Sequence, residues 1–250
     1  MKIYHTLLIG SGHTAVGYAI AQRNTLICEE SEACEPAFSL ALKQYRCPPY
    51  TPQTPQGRAL LSRYDALGLF ANGRQNLGGL ECGLCEYVLE NGIEILLKCR
   101  VIAYELLPDA TYDVTLLTNA GLEYVRCRRL LDLRHRNAPR SLTILFESTA
   151  PAIDLPLLSS LFPTAWVEPT FDGGYYALHI PASPTTDYNQ HLPKICNRWA
   201  SVKHTAKILY IAPRYADTAE EAELNAAEFG NPIAAFEAGI ALAKAEKGGD

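Results

Sequence analysis

Thr6-Leu7-Leu8-Ile9-Gly10-Ser11-Gly12-His13-Thr14-Ala15 is the stretch whose reading decides the fold. Residues 4–9 form an apolar run that stops at a glycine pair, the pattern of a parallel strand buried on both faces. From His13 to Gln22 the residues turn small and helix-compatible, with Ala15, Ala19 and Ala21 among them. Residues 25–28, Thr-Leu-Ile-Cys, read as a second strand that ends at Glu29 and Glu30. Strand, helix and strand in such close succession make a tight βαβ unit, for which a right-handed crossover is expected.

The turn between strand and helix has the form G-x-G-x-x-A, and each position has a physical reason. Gly10 allows the sharp turn, and Gly12 lets backbone approach a pyrophosphate with no side chain between them. Ala15, small like the usual third glycine, keeps helix and strand close. The free N–H groups of the first helical turn and the helix dipole then face the phosphates. Glu29, at the end of the second strand, stands near the spacing of about 20 residues expected of the carboxylate that holds an adenosine ribose. An NAD-binding protein is the alternative at this point. Glu29 would then favour NAD over its 2′-phosphorylated form. A nucleotide-binding module without turnover is a further alternative.

Working outward, a helix is expected over roughly 33–45, followed by a segment with prolines at 48, 49, 52 and 55 that excludes helix and central strand. That segment reads as an extended surface connection, with a lid over a ligand as the sharper alternative. A helix over 58–69 and a polar glycine loop over 72–79 come next. Leu80, Leu84 and Val88 then recur at helical spacing up to the stop signal Asn91-Gly92. Strands are expected at 93–97, 100–106, 112–117, 123–128 and 130–133, the third and fourth forming a hairpin around Asn119-Ala120-Gly121. The Asn137–Pro139 stretch changes the character of the chain. Beyond it the pattern is a strand at 142–146, a hairpin pairing 165–171 with 175–180, and a helix near 188–199. A strand at 206–212 and two helical segments broken at Gly230-Asn231-Pro232 finish the chain.

Taken together, LLIGSGHTAVGYAIA, TLICEES, LCEYVLENGIEILLKCRVIAYE, YDVTLLTNAGLEYVRCRRLLDL, KILYIA and GNPIAAFEAG follow a recognisable order. The chain resembles the FAD-dependent oxidoreductases of the glutathione-reductase-like superfamily, particularly the hydroxybenzoate-hydroxylase and FixC-like branch, in shortened form. The matching pieces cover about the first 133 residues and the last 45. The resemblance implies an α/β fold: a Rossmann-like, three-layer FAD/NAD(P)-binding domain with a small inserted α+β region. It implies a first part over 1–139, a substrate-side insert over 140–202, and a return to the dinucleotide-binding domain over 203–250. FAD is the implied cofactor.

Residue by residue, Gly10, Gly12, His13, Thr14 and Ala15 would line the pyrophosphate, and Glu29 would hold the ribose. The backbone of Val101 would meet the adenine, and Asn231 and Pro232 would open a last helix facing the flavin ring. The family's late Gly-Asp pair is replaced here by Ala212-Pro213-Arg214-Tyr215-Ala216-Asp217. Arg214 would then pair with the pyrophosphate, or Asp217 would stand in for the missing acid; weakened or lost flavin binding is the other outcome, with a catalytically reduced nucleotide-binding or flavin-sequestering module as the alternative.

The remaining chemistry-bearing residues read more blandly. A net charge of −5 with scattered basic residues gives no electrostatic footprint for nucleic acid. No stretch reaches the roughly 18 apolar residues that a membrane span needs, and the N-terminus is not built like a signal peptide. A cytoplasmic protein with reduced cysteines, acting on a small-molecule substrate or an electron-transfer partner, is the expectation. Cys82-Gly83-Leu84-Cys85 has redox or zinc spacing, but no second such pair accompanies it, and packing inside a helix is favoured. Tyr175, Tyr176 and His179 would line a flavin-side pocket or simply alternate on a sheet. Arg134, His135, Arg136 and Arg140 form a basic cluster expected at the surface.

Overall fold

The computed structural model describes residues 2–42, 47, 49–134, 140–148, 154–171, 173–201, 206–217 and 231–247. In chain order its elements begin with β1 (Ile3–Ile9), α1 (His13–Ala21), β2 (Thr25–Glu29), α2 (Pro36–Ser39) and α3 (Pro55–Ala66). A small hairpin, β3 (Phe70–Ala71) and β4 (Arg74–Gln75), leads to α4 (Leu77–Glu90) and β5 (Glu94–Leu97). Three further strands follow as β6 (Arg100–Leu106), β7 (Tyr112–Thr118) and β8 (Gly121–Asp132). The second region comprises β9 (Arg140–Ser148), α5 (Leu155–Leu161), β10 (Trp166–Pro169), β11 (Tyr176–Ala182), α6 (Tyr188–Trp199), β12 (Ala206–Ile211) and β13 (Ala216–Asp217). The last element is α7 (Pro232–Lys247).

The first sheet runs β5-β2-β1-β8-β7-β6. Its β5, β2, β1 and β8 are parallel neighbours, while β8, β7 and β6 form an antiparallel meander. Strand β8 joins the two halves: residues 121–127 pair with β7 and residues 126–132 pair with β1. The expected separate strand at 130–133 is therefore the far end of one long strand. The period-2 geometry of β1 and β2 then makes three layers. Leu8 and Ile27 point to the helices, whereas Leu7, Ile9, Leu26 and Cys28 point to the meander core with Val114, Leu116 and Cys127. The fold is the expected α/β, Rossmann-like, three-layer class.

Helix α1 is buried from His13 to Ala19 because α7 lies across it. Its Val16 and Tyr18 are fully buried, and such side chains contribute about 1.5–3 kcal/mol each. Helix α3 begins three residues earlier than its expected start: Thr54 accepts a hydrogen bond from the Gly57 N–H at 2.9 Å, and Pro55 takes the first turn. Asn76 caps α4 in the same way at 3.0 Å, so that helix also starts early. The helix expected over 33–45 reduces to the four residues of α2, because Leu42 adopts φ 51 and leaves the helical region; residues 43–46 lie outside the described residues.

The second sheet runs β10-β11-β9-β12, with β13 also on β9, and every pairing in it is antiparallel. Its core gathers Leu142, Ile144, Phe146, Leu178 and Trp199. Here one expectation is corrected. The strand expected at 206–212 belongs to the 203–250 segment expected to return to the dinucleotide-binding domain, but β12 hydrogen-bonds to β9 in the second sheet. Among the described residues, the chain rejoins the first unit only at α7. The reason is visible in the pattern: β9 is apolar and buried and needs a partner on both edges. The first of the two expected terminal helices falls at 218–229, outside the described residues.

Candidate functional site

The carboxyl ends of β1 and β2, the start of β6 and the 213–215 turn surround a cleft of about 1250 Å3. Gly10, Glu29, Val101 and Arg214 line it, so four of the expected site residues do converge there. Its walls carry both charges, with Glu29, Glu30 and Glu35 facing Arg100, Arg134, Arg140 and Arg214. The position at the ends of parallel strands is where open α/β sheets place ligands.

Several carboxylates in this neighbourhood are held by named partners. Glu29 accepts from the Ser11 N–H at 3.0 Å and the Ser11 hydroxyl at 3.1 Å, and from the Ser31 N–H at 2.8 Å. It ties the glycine turn to the loop after β2. A carboxylate offers about four lone-pair sites, so Glu29 retains capacity toward the cleft. Arg134 packs against Gly10, its Cγ 3.0 Å from where a Cβ would lie. Its guanidinium pairs with Asp132 at 2.8 Å and with Glu30, bridging the ends of β8 and β2. The basic cluster is thus partly a cleft wall; His135 and Arg136 lie outside the described residues.

Glu35, which no sequence motif singles out, takes the central position. Its Oε2 accepts from the His13 N–H at 2.9 Å and lies 2.8 Å from His13 Nδ1. The same oxygen is 2.7 Å from where a Cβ on Gly12 would be, and Gly12 has φ 121. The close approach that Gly12 permits is therefore used by the chain's own carboxylate. His13 Nε2 in turn lies 2.8 Å from the Tyr64 hydroxyl. Glu35, His13 and Tyr64 are all buried. Burial, reinforced by the Glu35 charge, holds the Tyr64 phenol well above its ordinary pKa and keeps it protonated.

The other expected residues are placed differently. Thr14 and Ala15 are buried in the first turn of α1 behind Glu35, and do not line the cleft. Nor do Asn231 and Pro232. Asn231 caps α7, its Oδ1 accepting from Ile233 N–H at 2.8 Å, while its amide donates to Cys47 Sγ at 3.3 Å. The Asp217 backbone pairs with Arg140 on β9. Tyr175 is exposed, Tyr176 stacks on Phe146, and His179 is buried beneath Trp166 with Thr143 at 3.0 Å. Those three follow sheet alternation and do not line the cleft. The proline-rich segment is anchored by Glu237 of α7, which accepts from Tyr50, Gln53 and Thr54; its described residues do not line the cleft.

The C-x-x-C pair also resolves. Cys82 is exposed, whereas Cys85 is half-buried, donates to Glu81 Oε1 at 3.4 Å, and lies with its sulfur within 4.8 Å of that of Cys34 from the loop after β2. Burial is the main cause that raises both thiols above their ordinary pKa.

No protein-family model and no curated protein sequence matches the chain. Solved structures do share its fold. A geranylgeranyl bacteriochlorophyll reductase-like protein from Thermoplasma acidophilum superposes with a TM-score of 0.60 at 13% identity, covering 99% of this chain and 79% of that one. A p-nitrophenol 4-monooxygenase from Pseudomonas putida gives 0.56 at 11% identity, covering 98% and 82%. A ternary complex of aklavinone-11 hydroxylase with FAD and aklavinone gives 0.55 at 13% identity, covering 98% and 63%. Among the described residues no helix is long and apolar enough to cross a membrane.

Proposed function

We propose that this chain is an FAD-binding oxidoreductase of the glutathione-reductase-like, hydroxybenzoate-hydroxylase or FixC-like type, with the dinucleotide lying in the cleft between its two sheets. The observation that carries this reading is the anion already seated on α1: the Glu35 carboxylate on the His13 N–H, over Gly12. A helix N-terminus preceded by such a turn is an anion site, and Glu35 is its stand-in occupant. The fold shared with the aklavinone hydroxylase, whose structure holds FAD, supports the same choice of ligand.

On this reading Gly10, Gly12 and His13 would meet the pyrophosphate once Glu35 has moved aside, with Thr14 and Ala15 behind them in the first turn of α1, and Glu29 would take the adenosine ribose through its remaining lone-pair site. Val101 stands at the adenine end. Arg134 and Arg214, both in the cleft lining, would balance the phosphate charge in place of the missing Gly-Asp pair. Asn231 and Pro232 stand outside the cleft lining and would meet the flavin end through the N-terminus of α7, and Asp217 is the remaining acid near the second sheet. Bound FAD would supply the electron transfer. The chain's part is to bind, orient and exclude water. A small-molecule substrate or an electron-transfer partner would approach from the second sheet, and the enzyme would work in the cytoplasm.

One observation favours a second reading, a nucleotide-binding module that does not retain flavin: Glu35 fills the cradle that a pyrophosphate needs. An absorbance spectrum of the purified protein, repeated after adding FAD and desalting, separates the two. Retained visible flavin bands support the oxidoreductase; a colourless protein that releases added FAD overturns it in favour of the second reading.

A further inference from the structure

The structure assigns a second site to the chain: we propose that Cys34, Glu81 and Cys85 bind one zinc ion as a Cys2Glu set with an open fourth position. One ligand atom from each lies within 4.8 Å of the other two, the one such trio of metal-ligating side chains among the described residues. The site is independent of the dinucleotide cleft reading.

The geometry is close to what the ion requires. Tetrahedral zinc with bonds of about 2.3 Å to sulfur and about 2.1 Å to oxygen spaces a sulfur and an oxygen ligand by roughly 3.6 Å. Cys85 Sγ and Glu81 Oε1 are 3.4 Å apart. The set is also assembled from two separate elements. Glu81 and Cys85 sit one helical turn apart on α4, so they share a face, and Cys34 comes from the loop after β2. Their meeting is a tertiary event that the C-x-x-C spacing does not reveal, because the exposed Cys82 takes no part.

A metal-binding carboxylate is normally oriented by its own hydrogen bonds. Glu81 meets that condition fully: it accepts from the Cys34 N–H at 2.6 Å, the Glu35 N–H at 2.7 Å and the Ser39 hydroxyl at 3.2 Å. The donor set, two thiolates and a carboxylate, suits a soft to borderline divalent ion rather than magnesium or calcium. On binding, the two thiol protons leave to solvent and the ion balances two of the three negative charges on its ligands, leaving the site with a net charge of one minus. Cys34 is buried, while Cys85 is half-buried and gives the ion its way in. With three protein ligands the fourth position falls to water. A bound ion would fasten α4 to the segment carrying Glu35.

Cobalt(II) titrated into the reduced, metal-free, untagged protein tests this. One ion per chain is expected, with sulfur-to-cobalt charge-transfer absorption and the visible bands of a tetrahedral ion, all displaced by zinc. Cys34→Ser and Cys85→Ser should each weaken binding at least tenfold and diminish the charge-transfer band, whereas Cys82→Ser should change neither. A wild-type spectrum without sulfur ligation, or an unchanged one in Cys34→Ser and Cys85→Ser, overturns the site. A second measurement needs no variant. Zinc should slow alkylation of Cys85 by N-ethylmaleimide at least tenfold, read by peptide mass spectrometry, and leave Cys82 at its original rate. Equal rates at Cys85 with and without zinc also overturn it.

Discussion

Gly17 of α1 and Gly239 of α7 face each other's helix so closely that neither position has room for a single methyl group. A Cβ on Gly17 would run into the Phe236 carbonyl oxygen, and one on Gly239 into the Thr14 carbonyl oxygen. Backbone is the obstacle in both cases, and backbone cannot rotate aside. The crossing therefore sets how deeply α7 lies over the first turn of α1, which carries the anion site.

Gly17→Ala and Gly239→Ala are accordingly expected to destabilise the protein by about 3 kcal/mol, the upper end of what overpacking costs. Gly92→Ala is the control, because a Cβ there meets nothing within 4 Å. Only its left-handed φ of +60 is strained, at roughly 1 kcal/mol. Urea unfolding monitored by circular dichroism measures all three. Equal losses at the three positions would show that the helix crossing is not tight.

For a pyrophosphate to bind at the α1 N-terminus as proposed, the Glu35 carboxylate must first leave it. Glu35→Ala is therefore expected to tighten FAD binding by about tenfold, since removing a competing charge at a helix terminus is worth on the order of 1–2 kcal/mol. Glu35→Gln keeps the shape without the charge and should fall between the two. Quenching of flavin fluorescence gives the affinities. Weaker binding in Glu35→Ala, with an unchanged melting temperature, would make Glu35 a ligand of the cofactor and not its competitor. Gly12→Val is a poorer probe: its side chain would strike Glu35 as well as any phosphate.

Tyr64→Phe removes the hydroxyl 2.8 Å from His13 Nε2 and leaves a buried ring nitrogen without that partner. A loss of about 1–3 kcal/mol is expected. Nuclear magnetic resonance of the His13 ring should then show altered nitrogen shifts, a change that mere loosening of α3 would not produce. Unaltered shifts count against the Glu35–His13–Tyr64 chain.

The fold was largely legible because its signals are local. An apolar run, a glycine turn and a small-residue helix lie within the first two dozen residues, and period-2 alternation marks the meander. What was not legible is tertiary. Glu35 lies in no motif, and its task depends on the loop after β2 folding back over Gly12. Cys85 meets Cys34, 51 residues away in the chain and on another element, and not its motif partner Cys82. β12 has the same apolar character whichever sheet it joins, and only the open edge of β9 decides. Thr14, Ala15, Asn231 and Pro232 carried the right residue types for a cofactor turn, but the sequence does not tell which of their faces the chain itself covers.

Glu237 ties α7 to the proline-rich segment and gives stability a dependence on pH. Burial alone would raise its pKa, but hydrogen bonds from the Gln53 N–H, the Thr54 hydroxyl and N–H, and the Tyr50 hydroxyl outweigh it, and the net pKa is lowered. The folded state thus binds fewer protons at this group than the unfolded chain does. Its contribution is fully present above the unfolded carboxylate value of about 4.3 and is lost as pH falls through the lower, folded value. Glu237→Gln should cost about 2 kcal/mol at pH 7, the scale of hydrogen bonds to a charged acceptor. The gap between the variant and the native protein should then narrow steadily below about pH 4. Thermal unfolding of both proteins from pH 7 to pH 3 reads this directly. A gap that stays constant over that range would falsify the charged role of Glu237 and leave only its shape to hold α3 and α7 together.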